Sequence, residues 1–118
     1  MTNQELKIRT KKFAHRCVKL AVSLPKTTLG RHLQSQLIRC STSVASNYRA
    51  ACLAQSKAAF SAKISIVIEE ADESVFWLEF IIDEKILKVD LVKPLFNESQ
   101  EIAKIFISTR MTATGKQR

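Results

Sequence analysis

The chain contains few of the residues that make turns, with two glycines and two prolines among 118 residues. A β-rich domain of this length needs frequent turns, and turns are built mainly from Gly, Pro, Asn, Asp and Ser. The shortage argues against a β-sandwich or a β-barrel. An apolar fraction of 46% and a charged fraction of 25% are those of an ordinary globular domain with one core. Composition therefore predicts a single domain, residues 1–118, made of long helices.

Acidic residues are almost missing from the first half of the chain. Residues 1–68 contain one acid, Glu5, against twelve basic residues, which gives a local charge of +11. Residues 69–90 carry −6 and residues 91–118 carry +3. A basic face of this kind favours polyanions, and nucleic acid above the others. The alternative that charge alone leaves open is a solvated surface that keeps the protein soluble.

Cysteine is also scarce, and the three cysteines (Cys17, Cys40 and Cys52) show no CxxC spacing. The first residues, Met-Thr-Asn-Gln-Glu-Leu-Lys, lack the apolar stretch of a signal peptide. These features predict a cytoplasmic protein whose cysteines act as small buried hydrophobic residues. The most apolar stretch, residues 64–82, is interrupted by five carboxylates, so we expect no membrane-spanning helix.

Apolar residues recur at helical spacing over four segments of the chain. The predicted helices cover residues 4–24, 29–53, 57–88 and 91–112. Their predicted N-caps are Asn3, Thr27 or Thr28, Ser56 and Asp90. Pro25 is expected to end the first helix. Pro94 is expected in the first turn of the fourth helix, where no intrahelical donor is lost.

The predicted links are only a few residues long, so neighbouring helices must run antiparallel. The pattern therefore predicts an all-α fold, an antiparallel up-and-down four-helix bundle, with a frayed tail over residues 113–118. The predicted third helix is apolar over more than one face, whereas a bundle helix needs about three core positions in seven. We expect the surplus to form a subunit interface through Phe76, Trp77 and Phe80. Packing of these aromatic residues in the core is the alternative.

Constellations that carry catalysis or bind metals are missing from the sequence. A di-metal site in a bundle uses Glu-x-x-His, and neither His15 nor His32 has a Glu three residues earlier. Gly30 and Gly115 are isolated, so there is no glycine-rich phosphate loop. Nothing local marks a Cys–His pair. We therefore expect no enzyme activity, no metal and no cofactor.

Basic residues of the first two helices are the candidates for contact with phosphates. Those of the first helix share one face, at i, i+3, i+7 and i+10. The predicted nucleic-acid-binding residues are Arg9, Lys12, Arg16, Lys19, Arg31, Arg39 and Arg49. Tyr48, beside Arg49, either stacks on a base or packs its ring inside the bundle.

An acidic run, residues 69–73, follows this basic half. Its carboxylates either form ion pairs with a neighbouring helix or subunit, or dock a basic partner protein.

Three ordered motifs carry a resemblance to a known family. They are Asn47-Tyr48-Arg49, then Ser56-Lys57-x-x-Phe60, then Glu70-Ala71-x-Glu73-x-x-x-Trp77-Leu78. With the residues around them, they resemble the "four helix bundle protein" family, whose members include proteins encoded within intervening sequences of bacterial 23S ribosomal RNA genes. The similarity covers essentially the whole chain.

The resemblance implies a bacterial cytoplasmic protein that assembles as a ring-shaped homopentamer of antiparallel bundles. A related group serves diversity-generating retroelements as a basic pentamer that binds nucleic acid and a reverse transcriptase. The residues Arg49-Ala50-Ala51 depart from the commoner pattern, in which many members place an acid after the Asn-Tyr or Asn-Ile element, and the departure raises the positive charge. The family has no catalytic residues to carry over.

Charge and resemblance together predict a non-enzymatic, oligomeric protein that binds RNA or other nucleic acid through a basic face of helices one and two. The alternative is a scaffold for protein–protein interaction that has no nucleic-acid ligand.

Overall fold

The computed structural model describes residues 1–115 and shows four helices in sequence. They are α1 (Asn3–Val22), α2 (Thr28–Ala51), α3 (Lys57–Asp83) and α4 (Val89–Ala113). Links of five residues, 23–27, 52–56 and 84–88, join them. Such short links reverse the chain direction at each step, so the helices run antiparallel. The longest dimension, 44 Å, is close to the length of about 40 Å expected for the 27 residues of α3.

The four helices lie at the corners of a square. Helix α2 packs along α1 and α3, and α4 packs along α3 and, at fewer positions, along α1. Among the described residues no backbone contact joins α1 to α3 or α2 to α4. The prediction of an all-α antiparallel up-and-down four-helix bundle is therefore confirmed.

The core is apolar and closely packed around a few small polar residues. Fully buried side chains from the four helices include Phe13, Leu37, Leu78 and Phe106. Four buried hydroxyl groups occur among them, and each donates a hydrogen bond to a backbone carbonyl of its own helix. These are Thr10, Ser41, Ser74 and Ser99. Polar groups satisfied in this way carry little desolvation cost, and their small size lets the helices approach closely.

Helix α1 begins one residue earlier than predicted. The cap is Thr2, not Asn3, because the Thr2 hydroxyl accepts from the Glu5 amide and the Glu5 carboxylate accepts from the Thr2 amide, both at 3.0 Å. This reciprocal pair is a capping box. Helix α1 also ends at Val22, two residues before the predicted end at Leu24. The amide and the hydroxyl of Ser23 both donate to the carbonyl of Leu20 and close the last turn there.

The N-cap of helix α2 is Thr27, one of the two predicted caps, and its hydroxyl accepts from the amide of Gly30 at 3.0 Å. The helix spans Thr28–Ala51, so it begins one residue before the predicted start and ends two residues before the predicted end at Leu53. The amides of Leu53 and Ala54 donate to carbonyls three residues earlier, which closes the last turn there. A β-carbon added to Gly30 would lie 1.9 Å from the carbonyl oxygen of Pro25, so the link packs directly on this glycine. The small-residue run 40–46 is continuous helix. Ser56 caps α3 as predicted and accepts from the amide of Ala59 at 3.1 Å.

Helix α3 ends at Asp83, five residues before the predicted end at Lys88. Lys85 takes a left-handed conformation, with φ of 54°. Its amide donates to the carbonyl of Ile82, and the amide of Ile86 donates to that of Ile81. This is the Schellman motif that terminates many helices, formed here without its usual glycine.

Helix α4 begins at Val89, two residues before the predicted start, so the predictions for Asp90 and Pro94 are wrong. The N-cap is Lys88, which makes no side-chain cap hydrogen bond, and Asp90 lies within the first turn. Pro94 then occupies the second turn, where its missing N–H removes the helical hydrogen bond to the carbonyl of Asp90. The predicted frayed tail is helical at Ala113, and residues 116–118 lie outside the described residues.

Candidate nucleic-acid interface

Helix α1 carries six basic side chains and one acid, Glu5, but the structure does not keep the four predicted basic residues together. Arg9 turns toward α4, and its guanidinium donates two hydrogen bonds to the Glu98 carboxylate, at 2.8 and 2.7 Å. The hydrogen bond to Glu98 raises the pKa of Arg9. Arg9 therefore already has an anionic partner within the chain.

Arg39 is paired in the same way, across the seam between α2 and α3. Its guanidinium binds Glu70, with an N–O distance of 3.1 Å, and Glu73. The Glu73 carboxylate also accepts from the indole N–H of Trp77 at 3.1 Å. Burial acts to raise the pKa of Glu73, but the hydrogen bonds from Arg39 and Trp77 outweigh it and lower the pKa. Two members of the acidic run thus form intramolecular ion pairs.

The other three predicted residues of α1 form a continuous exposed surface. Lys12, Arg16 and Lys19 are exposed, and within residues 1–115 no carboxylate lies within 4 Å of their charged groups. We call these three residues the outer α1 surface. Ile8, which is 59% exposed, lies in one open pocket with these three residues. Lys19 lies seven positions after Lys12, about 10 Å along the helix axis.

A second basic region lies in the seam between α1 and α2 and was not predicted from the sequence. It is a groove of about 820 Å³. Three cations lie along it, and its apolar lining includes buried or half-buried side chains of both helices. We define the α1–α2 groove by Lys7, Lys11, Arg49, Ala14, Val18 and Ala45. The i, i+4 spacing of Lys7 and Lys11 was the sequence signal that could have found it.

The remaining predicted residues occupy different parts of α2. Arg31 is exposed in the first turn of α2, at the end of the bundle where α1 finishes. Arg49 lies 18 residues further along, about 27 Å away along the helix axis. The seven predicted residues are therefore divided among the outer α1 surface, the α1–α2 groove, the start of α2 and two ion pairs.

Tyr48 is 1% exposed, so it cannot stack on a base from solvent. Its ring packs on Phe106, with the ring centroids 4.9 Å apart, and its hydroxyl lies 3.2 Å from the Asn3 side-chain oxygen, to which it donates. This is the structural role that the sequence left open.

The three aromatic residues predicted at a subunit interface form one cluster on α3. Phe76 is 51% exposed, while Trp77 and Phe80 are half-buried. The ring of Phe76 lies 4.9 Å from that of Trp77 and 6.0 Å from that of Phe80. Trp77 also packs edge-on against His32, with a centroid distance of 5.5 Å. Phe76 thus projects from the cluster, while Trp77 is engaged within the chain.

Two of the three cysteine thiols lie inside the bundle. No group of three His, Cys, Asp or Glu side chains within residues 1–115 is arranged to hold a metal ion. Cys17 and Cys40 are fully buried, and burial raises the pKa of both thiols, that of Cys40 to about 11. No described helix is both long and apolar enough to cross a membrane.

Residues 3–108 match the family model of the 23S rRNA-intervening sequence protein. The chain belongs to this family. The predicted resemblance is therefore confirmed. The chain is also similar in structure to a protein of unknown function from the S23 ribosomal protein family of Bacteroides thetaiotaomicron VPI-5482. Its crystal structure superimposes with a TM-score of 0.85 at 33% identity, over 93% of this chain and 98% of that chain. No curated protein matches the sequence.

Proposed function

We propose that this chain is a non-enzymatic, oligomeric protein that binds structured RNA through the outer α1 surface. The observation that carries the proposal is the exposure of Lys12, Arg16 and Lys19 without an acidic partner among the described residues. Cations that are free of carboxylates can take the place of the counterions that surround a phosphate backbone, and release of those counterions drives binding.

Three cations on one subunit give only a weak, salt-sensitive contact. An oligomer presents several such surfaces at once, so a long polyanion that engages one subunit meets the others at high effective concentration. The proposal therefore needs both parts, the basic surface and the assembly. The exposed ring of Phe76 on α3, which stands beside the half-buried Trp77 and Phe80, supports the assembly part.

RNA is the first ligand to test, because the family description ties its members to intervening sequences of 23S rRNA. The outer α1 surface has no aromatic side chain that would read a base. We therefore expect contacts with phosphates and little dependence on sequence.

The test compares two triple variants that remove the same charge. Lys12→Gln/Arg16→Gln/Lys19→Gln removes the outer α1 surface, and Lys57→Gln/Lys88→Gln/Lys104→Gln removes three exposed lysines near or on α3 and α4. Fluorescence anisotropy with a labelled RNA hairpin, measured between 50 and 200 mM salt (roughly the range over which phosphate contacts weaken), gives the affinity and its salt dependence. We expect the first variant to lose most affinity and to flatten the salt dependence, by about two to three phosphate contacts per subunit.

Equal losses in the two variants would contradict a specific surface, and salt-independent binding would contradict the electrostatic mechanism. If the wild-type protein binds no RNA and a pull-down returns a stoichiometric protein partner, the scaffold alternative is favoured. In the scaffold alternative, the acidic run 69–73 would dock the partner. Two carboxylates of that run, Glu70 and Glu73, already bind Arg39, which weakens the case for this run as a docking site.

The non-enzymatic part is supported by the burial of the Cys17 and Cys40 thiols, which raises the pKa of both and keeps them from acting as nucleophiles. It is tested by incubating a labelled RNA with the protein and Mg²⁺ and following its length on a gel. We expect intact RNA. Cleavage that disappears in a variant with one altered side chain would show an active site.

A further inference from the structure

The side of α3 that faces away from the bundle is both acidic and apolar. We call it the α3 outer face: Glu69, Asp72, Phe76, Glu79 and Asp83, which recur at helical spacing of three or four residues. The four carboxylates are exposed, and none lies within 4 Å of a basic group in residues 1–115. Phe76 stands among them, 51% exposed. The packing of a single chain gives no reason for an exposed aromatic side chain among four carboxylates.

The α1–α2 groove has the opposite charge and the same kind of apolar centre. Lys7, Lys11 and Arg49 lie along it, and Ala14, Val18 and Ala45 contribute to its lining. Ile8 also lines it and is 59% exposed. Its volume of about 820 Å³ is within the range of pockets that enclose small organic ligands, so one phenyl ring fits with room for its neighbours.

These two surfaces cannot meet within one chain. Helices α1 and α3 are diagonal in the bundle and share no backbone contact in the described residues, and the α3 outer face is turned away from the core. A second copy of the chain carries both surfaces and can supply the complement to each.

We propose that the α3 outer face of one copy packs into the α1–α2 groove of a second copy, with Phe76 as the apolar anchor. The flanking carboxylates then face the lysines and Arg49 of the groove, which orients the two copies and disfavours other pairings. Because the two faces differ, the contact is heterologous. Each copy keeps one free face of each kind, and the assembly closes into a ring when the rotation allows it.

This inference rests on the oligomeric part of the proposed function and not on RNA binding. Lys12, Arg16 and Lys19 are not among the residues that line the α1–α2 groove. Helix α1 can therefore hold a neighbouring copy with one side and keep the outer α1 surface free for phosphates.

The test uses two variants that each block one face. Phe76→Asp blocks the α3 outer face, and Lys11→Glu/Arg49→Glu blocks the groove. Light scattering on a sizing column measures the mass of each variant and of their mixture, against a chain mass of 13.3 kDa. We expect the wild-type protein to be a larger assembly, each variant alone to be a monomer, and an equimolar mixture to form a dimer and nothing larger. That dimer joins the intact groove of one variant to the intact α3 outer face of the other.

A groove-blocked variant that still self-associates, or a mixture that stays monomeric, would overturn the proposed pairing. A matched control, Lys57→Glu/Lys104→Glu, makes the same charge change outside both faces and should keep the wild-type mass. Far-ultraviolet circular dichroism checks that every variant is folded. As a second variant, adding Asp72→Lys/Glu79→Lys to the groove-blocked chain should restore self-association, and failure to restore it would also count against the pairing.

The same data separate this inference from the proposed function. A wild-type protein that is monomeric at every concentration overturns both the oligomeric part and the pairing. A wild-type assembly that neither blocking variant disturbs overturns the pairing alone. RNA affinity measured on the dimer tests the outer α1 surface independently.

Discussion

Helices α1 and α3 lie at opposite corners of one bundle and carry opposite charge. Helix α1 has six basic residues and one acid, whereas α3 has two basic residues and six acids. Helix α3 packs along both α2 and α4, whereas α1 packs along α2 and touches α4 at fewer positions. The more enclosed helix is also the more apolar one, yet it still exposes an aromatic ring. Packing within one chain explains the buried sides of α3, and the proposed contact with a second copy would account for its outer face.

The comparison also shows how ion pairs divide the charge of the molecule. Arg9 of α1 and Arg39 of α2 are each tied to glutamates of the second half of the chain, through Glu98, Glu70 and Glu73. On α1, the predicted cations that stay exposed without a carboxylate partner in residues 1–115 are Lys12, Arg16 and Lys19. A count of charges along the sequence therefore overstates the basic surface, and the structure shows which part of it is free.

The largest expected effect is the loss of a core side chain from α3. Leu78 is fully buried, so Leu78→Ala should lower the free energy of unfolding by about 2–5 kcal/mol. Phe76→Ala, two residues away on the outer face, should cost less than about 1 kcal/mol in a dilute, monomeric sample. Urea denaturation followed by circular dichroism measures both. Similar losses would mean that Phe76 is part of the core of the single chain.

The next effect concerns the link that joins α1 to the bundle. Gly30→Ala places a methyl group against the carbonyl of Pro25, and such overpacking costs about 1–3 kcal/mol. At an ordinary helical position, alanine is more stabilising than glycine by about 1 kcal/mol. A net loss of stability for Gly30→Ala would therefore show that the contact with Pro25 resists the added methyl group. Ser35→Ala, at an exposed position of the same helix, is the control and should change stability little. A gain in melting temperature for Gly30→Ala would show that the contact with Pro25 relaxes freely.

In the link after α3, a substitution is expected to increase stability instead of reducing it. Lys85 holds a left-handed conformation that costs an ordinary residue about 1–2 kcal/mol and costs glycine little. We expect Lys85→Gly to raise the free energy of unfolding by about 1 kcal/mol. Lys88→Gly, three residues later at a negative φ of −58°, should bring no such gain. Equal changes at the two positions would argue that chain flexibility, and not the Schellman motif, sets the result.

The smallest expected effect links stability to binding. Glu98→Gln releases Arg9, and because the pair is partly exposed, the loss of stability should stay below about 1 kcal/mol. The freed cation lies beside the outer α1 surface, so RNA affinity should rise and the salt dependence should steepen by about one phosphate contact. Glu84→Gln changes the net charge equally at the end of α3 and is the control. An identical gain in RNA affinity for the control would show that net charge alone accounts for the effect.

Much of the fold follows from local chemistry, which is why it could be predicted. The hydroxyl caps Thr27 and Ser56 precede apolar stripes, and short links force antiparallel packing. The start of α1 was also readable, since Thr2 and Glu5 have the spacing of a capping box. The end of α3 was not, because Lys85 supplies the left-handed residue that sequence rules assign to glycine.

The candidate site was less predictable because its geometry depends on distant residues. The partner of Arg9 is 89 positions away, and that of Arg39 is more than 30 positions away. Helical periodicity places residues on a face but does not say which carboxylate of another helix will meet them. The α1–α2 groove is a similar case, because it places Arg49 of α2 beside Lys7 and Lys11 of α1. The packing of the two helices creates this arrangement, and the spacing of residues along the sequence does not predict it.

The chain contains a single tryptophan, and its position gives the molecule an internal optical reporter. Trp77 is half-buried, donates its indole N–H to Glu73, and has the exposed ring of Phe76 at 4.9 Å. A second copy of the chain that covers Phe76 also removes water from the indole of Trp77. The emission maximum of an indole moves to shorter wavelength as its surroundings become less polar. Dilution of the unlabelled protein, followed by fluorescence alone, would therefore report the assembly and disassembly of copies.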